Sequence, residues 1–152
     1  SDSEAQTSTI IGDGRLSLAR ELESGGSNQF DILVIDAFSG DAIPIHLLTT
    51  EASELFWQHI KSDGILAIHI TNNYVDLSDP VRQLAKKASK NAIYIRNNKG
   101  RYNDGNDWVL LTENRRFIRD PVVRNSQGDW WHSLKPIIWT DNFSNLFEVV
   151  DW

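Results

Sequence analysis

The strongest constraint on the fold is a pair of short aliphatic runs that end near polar residues. The first run covers residues 30–36 and closes on Asp36, and the second covers residues 65–70 and includes His69. Each run is apolar on both faces, which is typical of a strand buried in a parallel sheet. A segment with the apolar spacing of a helix lies between them, so the pattern predicts a β-α-β unit.

Local signals set the expected limits of the helices. Thr49 or Thr50 is predicted to cap the helix between the two runs, and Asp63-Gly64 to end it. Helical spacing also predicts one helix after the Gly12-Asp13-Gly14 turn. Asp79-Pro80 predicts another, with Asp79 as the cap and the proline in the first turn.

Two further strands complete the predicted fold. They cover residues 92–95 and 108–111, which are close enough in sequence to pair as antiparallel neighbours. The chain is therefore predicted to be an α/β domain, with a mainly parallel sheet, flanking helices and a C-terminal antiparallel hairpin. We expect a loose N-terminus over residues 1–9 and a single domain over residues 10–152.

Composition and charge exclude several classes of protein. The 152 residues contain no Cys, which excludes disulfide scaffolds, thiolate metal sites and cysteine nucleophiles. A formal net charge of −6 argues against a nucleic-acid-binding module. No apolar run approaches the roughly 20 residues of a membrane span, and the four His residues lack metal-ligand spacing. We therefore expect a cytoplasmic domain with no metal, nucleic acid or membrane contact.

Polar residues cluster where the predicted strands end. Ligands of parallel α/β sheets bind beyond the carboxyl ends of the strands. This rule points to Asp36 with the loop after it, to residues 69–74, and to the Gly12-Asp13-Gly14 turn. An Asp beside Gly also forms turns without any ligand, so the turn chemistry alone leaves a purely structural role open.

Four segments form an ordered set of motifs: Gly12-Asp13-Gly14-Arg15, residues 31–44, residues 48–52 and residues 63–67. This set resembles the C-terminal part of the spermidine synthase family, and of its bacterial spermidine synthase-like proteins in particular. The resemblance implies a partial Rossmann-like sheet of the class I methyltransferase type. It also implies transfer of an aminopropyl group from decarboxylated S-adenosylmethionine to an amine.

The resemblance assigns roles to individual residues. Asp36 corresponds to the catalytic carboxylate that deprotonates the attacking amine, a step that suits a carboxylate within hydrogen-bond reach. Asp41 and Tyr102 would contact the amine substrate, Tyr102 from a Tyr-x-x-Gly hairpin. Asp13 would hold the adenine amino group. The residues expected around the nucleotide are Gly12, Asp13, Gly14 and Ala37.

The chain departs from the family pattern at several points, one of them the hairpin, where Asn103 and Trp108 replace residues that are usually small or proline. Ala37 occupies the second position of the motif that begins at Asp36, and residues 36–44 include one residue more than usual. No Gly-Gly-Gly-Asp-Gly-like loop precedes residue 10, so the resemblance implies the C-terminal half of the family domain. We expect a nucleotide site that is incomplete in this chain, and aminopropyl transfer that is impaired or absent for the chain alone.

The expected ligands and partners follow from this resemblance. The substrates would be a polyamine and decarboxylated S-adenosylmethionine, or S-adenosylmethionine itself, with no tightly bound cofactor. The strand over residues 30–36 would present a free edge, which predicts a homodimer or a partner chain that covers it. Two alternatives remain open, namely a non-catalytic assembly or interaction module and a fragment of a class I methyltransferase.

Overall fold

The structure is a computed structural model that describes residues 4–37, 43–97 and 105–150. No helix within these ranges has both the length and the apolar character needed to cross a bilayer. Short 3-10 helices cover Ile45–Leu47 and Leu146–Glu148. The α-helices are α1 (Gly14–Glu23), α2 (Thr50–His59), α3 (Ser78–Lys87), α4 (Arg115–Arg119) and α5 (Pro121–Ser126). The strands are β1 (Phe30–Ile35), β2 (Ile60–His69), β3 (Asn91–Asn97) and β4 (Asn106–Thr112).

The strands form one sheet with the order β1-β2-β4-β3. β1 pairs with β2 in parallel, whereas β4 is antiparallel to both of its neighbours. β1, β2 and β3 therefore point in the same direction, and β4 is reversed between β2 and β3. This arrangement confirms the predicted α/β class and the antiparallel β3–β4 hairpin, and three of the four described strands share one direction.

The main core lies between the sheet and helices α2 and α3. Phe56 of α2 and Leu84 of α3 pack in one cluster with Leu66 and Ile68 of β2 and Leu111 of β4. Each of these side chains is less than 5% exposed. This packing positions the amino ends of both helices beside the carboxyl ends of the parallel strands.

β1 lies at an edge of the sheet and has one partner strand, β2, within the described residues. Ile32 and Val34 of this strand are 56% and 52% exposed, whereas Ile35 is buried. The aliphatic run that resembles a central strand is thus half exposed. The sheet order agrees with the free edge expected for residues 30–36.

Residues 127–150, here called the C-terminal segment, run back across the amino ends of the helices. The segment begins beside β3, where Gly128 N–H donates to the Tyr94 carbonyl at 2.9 Å. It then reaches α2, where the Trp139 carbonyl accepts hydrogen bonds from the Thr50 N–H at 2.9 Å and the Thr50 hydroxyl at 3.2 Å. Trp139 is 1% exposed, so this segment is part of the folded core.

The N-cap predicted from the sequence is correct for α2 but not for α3. Thr49 is the N-cap of α2 and accepts a hydrogen bond from the Ala52 N–H at 3.2 Å, as predicted. The prediction that Asp79 caps α3 was wrong, because α3 begins at Ser78. The Asp79 carboxylate instead faces the C-terminal segment, 2.9 Å from His132 Nε2.

The predicted end of α2 was also wrong. The helix ends at His59, and Asp63-Gly64 lies inside β2. A glycine is needed here because Ile60 and the β1 backbone lie too close to residue 64 for a side chain. A Cβ at residue 64 would lie 2.5 Å from Ile60 Cγ2 and 2.9 Å from the Phe30 carbonyl oxygen. The register between β1 and β2 shifts at this point, so Gly64 serves strand pairing and not helix termination.

Replacing Gly64 with alanine should therefore destabilise the chain. The added Cβ would collide with Ile60 and with the β1 backbone, which should lower the free energy of unfolding by about 1–3 kcal/mol. Gly14→Ala is the matched control, since nothing lies within 4 Å of its Cβ position. Denaturant titration should find that control within about 1 kcal/mol of wild type. Equal effects of the two substitutions would contradict this account of Gly64.

Candidate functional site

Polar side chains from three strands meet at the carboxyl edge of the sheet. Asp36 follows β1, His69 is the last residue of β2, and Trp108 lies near the start of the reversed β4. His69 Nδ1 is 2.8 Å from Asp36 Oδ1. The His69 ring stacks on Trp108, with 4.8 Å between the ring centroids and 23° between the planes. The sheet thus pairs the predicted catalytic carboxylate with an imidazole.

Thr71 holds the other side of the imidazole. His69 Nε2 lies 2.8 Å from Thr71 Oγ1, which accepts a hydrogen bond from the Asp107 N–H at 2.7 Å. The Thr71 hydroxyl then has its proton left to donate to Nε2. The chain of hydrogen bonds is complete when the His69 proton sits on Nδ1 and is donated to Asp36.

A cavity of about 480 Å³ opens beside β1. Its wall includes three of the sequence-predicted residues, Gly14, Asp36 and Ala37, and also the apolar side chains of Leu47 and Phe56. The Asp36 side chain is 54% exposed. The structure therefore brings the predicted base and part of the predicted nucleotide site around one cavity with a partly apolar wall.

Asp13 caps α1 at the margin of this cavity. Its Oδ1 accepts a hydrogen bond from the Leu16 N–H at 2.9 Å, and its Oδ2 lies 2.9 Å from His46 Nε2. The Leu16 N–H chiefly lowers the pKa of the Asp13 carboxyl, His46 lowers it further, and burial opposes them. Gly12 has φ +140°, a conformation that favours glycine. The adenine contact of Asp13 remains a prediction.

Arg15 ties this turn to the C-terminal segment. Its guanidinium donates two hydrogen bonds to Asp141, at 2.5 and 2.7 Å, and one to the His46 carbonyl at 2.7 Å. Thr49 Oγ1 donates to the same Asp141 carboxylate at 2.8 Å. The bonds from Arg15 first, and then from Thr49, lower the pKa of Asp141 against the opposing effect of burial.

A second cavity, of about 310 Å³, lies on the β3–β4 side of the same edge. Thr71 lines it, together with Asp107, Arg96 and the half-exposed Trp131. Arg96 donates two hydrogen bonds to the Asp107 carboxylate, at 3.2 and 3.3 Å. Burial, and then the nearby Asp107, raise the pKa of Tyr94 on β3 to about 12. Thr71 thus stands between the His69–Asp36 pair and a polar cavity.

Sequence reasoning located part of this site. Asp41 and Tyr102 lie outside the described residues, so their contacts with an amine remain predictions. His69 and Thr71 fall in the 69–74 segment to which the strand-end rule pointed, but neither was assigned a role. Asp107 was missed, although a signal was available: it directly precedes the predicted strand over residues 108–111, which places it near the start of the reversed strand at this edge.

The described ranges hold no group of three or more His, Cys, Asp or Glu side chains placed to hold a metal ion. Near the cavity, the described residues include two carboxylate–imidazole pairs, Asp36 with His69 and Asp13 with His46. A carboxylate paired with an imidazole can accept a proton or bind a cation. The chemistry available at this edge is therefore proton transfer and cation binding.

Comparison with solved structures finds chains of similar structure. The chain is similar in structure to the spermidine synthase from Thermotoga maritima, with 15% sequence identity and a TM-score of 0.47. The match covers 88% of this chain and 43% of that enzyme. The chain thus spans less than half the length of the solved structure that it matches. No protein-family model and no curated protein sequence matches it.

Acid should destabilise the chain through Asp13 and Asp141. The pKa of each carboxyl is lowered in the folded state. The resulting stability is present above the unfolded pKa of about 4 and is lost as the pH falls through the folded values. The Tm should therefore decrease between about pH 5 and pH 2. Asp13→Asn/Asp141→Asn keeps hydrogen-bonding side chains but not the charges, and should have a flatter profile. An unchanged slope in that double variant would contradict the assignment.

Proposed function

We propose that the edge around Asp36 binds an amino group of a polyamine and accepts its proton, as one step of an aminopropyl transfer. The observation that carries the proposal is the Asp36 carboxylate itself. It is half exposed, lines the 480 Å³ cavity, and has Oδ1 held by His69 at 2.8 Å. Its Oδ2 has no hydrogen-bond partner among the described residues and is available to a ligand.

The proposed chemistry uses Asp36 as a general base. An amine is protonated near neutral pH and cannot attack until a carboxylate takes the proton. Asp36 accepts one proton from the ammonium group and frees the nitrogen lone pair. That lone pair forms a bond to the methylene carbon of the aminopropyl group, the one attached to the sulfonium of decarboxylated S-adenosylmethionine. The C–S bond breaks at the same carbon, and its electron pair stays on sulfur, which leaves as a neutral thioether.

The other predicted residues complete the proposal. Asp41 and Tyr102 are proposed to contact the amine, and the Gly12-Asp13-Gly14 turn and Ala37 the nucleotide. The order of these motifs along the chain supports aminopropyl transfer over other amine chemistry. No Gly-Gly-Gly-Asp-Gly-like loop is present in the 152 residues, so amine binding is the step on which this chain is best tested.

Calorimetric titration with putrescine, with and without methylthioadenosine, tests the proposal. Wild-type chain should bind the diamine, and Asp36→Asn should weaken binding by at least about tenfold, because a charged hydrogen-bond partner is removed. Asp31→Asn is the matched control: it removes a carboxylate from the other end of β1, where Asp31 is exposed and paired with Lys61 at 2.6 Å. The control should bind like wild type. Equal binding by Asp36→Asn, or no binding by wild type, would refute the proposal.

A second candidate function, an assembly module, is favoured by the free edge of β1. The four residues Ile32-Leu33-Val34-Ile35 carry no charge and no proline, the devices that normally protect an edge strand. Ile32 and Val34 are both more than half exposed. The uncharged part of this edge, beyond Asp31, can pair with its own copy across a two-fold axis. We therefore propose a second copy of this chain as the occupant of the edge.

Light scattering tests this second candidate. The wild-type chain should have the mass of a dimer, and Val34→Lys should return it to a monomer, because lysine blocks edge pairing. Val122→Lys is the matched control, since Val122 of α5 is 73% exposed and lies outside the sheet. That control should remain dimeric. A monomeric wild type at high concentration would rule out the module.

A further inference from the structure

We propose that His69 is a positioning residue for Asp36: it holds Oδ1 through its Nδ1–H and thereby directs Oδ2 towards the amine. This inference rests on the proposed function, because it assumes that Asp36 is the group that meets the ligand. Nothing in the motif resemblance gives His69 a role. The argument depends on how firmly the fold fixes the imidazole.

Contacts with two described residues, Trp108 and Thr71, hold the His69 ring. Its Cα is held in the sheet, where His69 is opposite Trp108 in the β2–β4 register. The stack on Trp108 sets the plane of the ring. Thr71 Oγ1, at 2.8 Å from Nε2, sets its rotation about the Cβ–Cγ bond. The side chain is only 20% exposed, so the imidazole is more constrained than the carboxylate it contacts.

The same contacts favour one tautomer. The Asp107 N–H occupies one acceptor position of Thr71 Oγ1, at 2.7 Å, and the hydroxyl proton is directed to Nε2 when that nitrogen is unprotonated. The Asp36 carboxylate can only accept, so the 2.8 Å contact places the ring proton on Nδ1, directed at Asp36 Oδ1. Thr71 is thus the residue that orients His69, and His69 the residue that orients Asp36.

Asp36 needs such a restraint because of where it lies. It follows the last residue of an edge strand, and its side chain is 54% exposed. A carboxylate in that position is otherwise free to rotate, and a misplaced base loses much of its effect on a bound amine. A charge-assisted hydrogen bond to one oxygen removes that freedom and leaves the second oxygen for the ligand.

If His69 served only to pack against Trp108, its substitutions would affect amine binding differently than if it positions Asp36. Three substitutions distinguish the packing role from the positioning role. His69→Asn places an amide N–H at the position of Nδ1 but loses the contact with Thr71. His69→Gln places its amide at the position of Nε2 and loses the donor to Asp36. His69→Phe keeps a ring that can stack on Trp108 and has no donor. If only packing mattered, His69→Phe would be the mildest change.

Putrescine titration of these variants gives the first result. His69→Asn should bind within about threefold of wild type, because the donor to Asp36 is retained. His69→Gln and His69→Phe should each weaken binding by about tenfold. Thermal denaturation of each variant identifies any that fails to fold. Wild-type affinity in a folded His69→Phe, or an equal loss in His69→Asn, would overturn the positioning role.

A ligand-free measurement keeps the inference separate from the proposed function. Long-range ¹H–¹⁵N NMR of the imidazoles, recorded over a series of alkaline pH values, reports which ring nitrogen carries the proton. His69, assigned by its absence in His69→Asn, should have its proton on Nδ1, and Asp36→Ala should reduce that preference. A proton on Nε2 in the wild type would overturn the inference. If wild type binds no amine, the proposed function fails, and this spectrum still decides whether His69 holds Asp36.

Discussion

The parallel pairing of β1 with β2 is the interaction on which the rest of the structure depends. Parallel neighbours bring the carboxyl ends of both strands to one edge of the sheet. The residue after β1 and the last residue of β2 thereby become neighbours, although Asp36 and His69 are 33 positions apart in sequence. The reversed β4 adds its first residues to the same edge. Strand direction, more than any single side chain, assembles the candidate site.

The C-terminal segment reaches the second cavity through Trp131 and also contacts three of the helices. It contacts α3 through Asp79, α2 through Thr50 and α1 through Arg15, in the reverse of their order along the chain. Each contact lies at the amino end of a helix, where backbone N–H groups lack partners within the helix. At α2 the segment supplies such a partner, the Trp139 carbonyl for the Thr50 N–H, whereas at α3 and α1 it contacts the side chains of Asp79 and Arg15.

The parts of the fold that could be predicted from the sequence are those set by residues close together along the chain. The aliphatic run of β1 and the Thr49 cap are local patterns, and both were found correctly. The predictions were wrong where a residue far away in sequence determines the role of a side chain or a glycine. Asp79 follows the pattern of a helix cap, but His132, 53 positions away, takes its carboxylate. Gly64 follows the pattern of a helix stop, but the approach of Ile60 and the β1 backbone requires it.

The candidate site was predictable to the same limited extent. Asp36 follows from the rule for strand ends, and so does the segment that contains His69. The hydrogen bond between them depends on the register of β1 against β2, and periodicity does not fix a register. Trp108 and Asp107 reach the site only because β4 is reversed between β2 and β3, a strand order that local sequence patterns do not specify.

The link between Arg15 and Asp141 has a consequence for the order of folding. These residues are 126 positions apart, so their ion pair closes one of the longest loops in the chain. We expect such a contact to form late, because loop closure costs conformational entropy before the contact repays it. During synthesis, β1, β2 and the helix between them can pair and pack while residues 127–150 are still being made. Arg15, just after the turn that carries Asp13, would form its contacts with Asp141 only afterwards. The rim of the cavity would then be the last part of the site to fold.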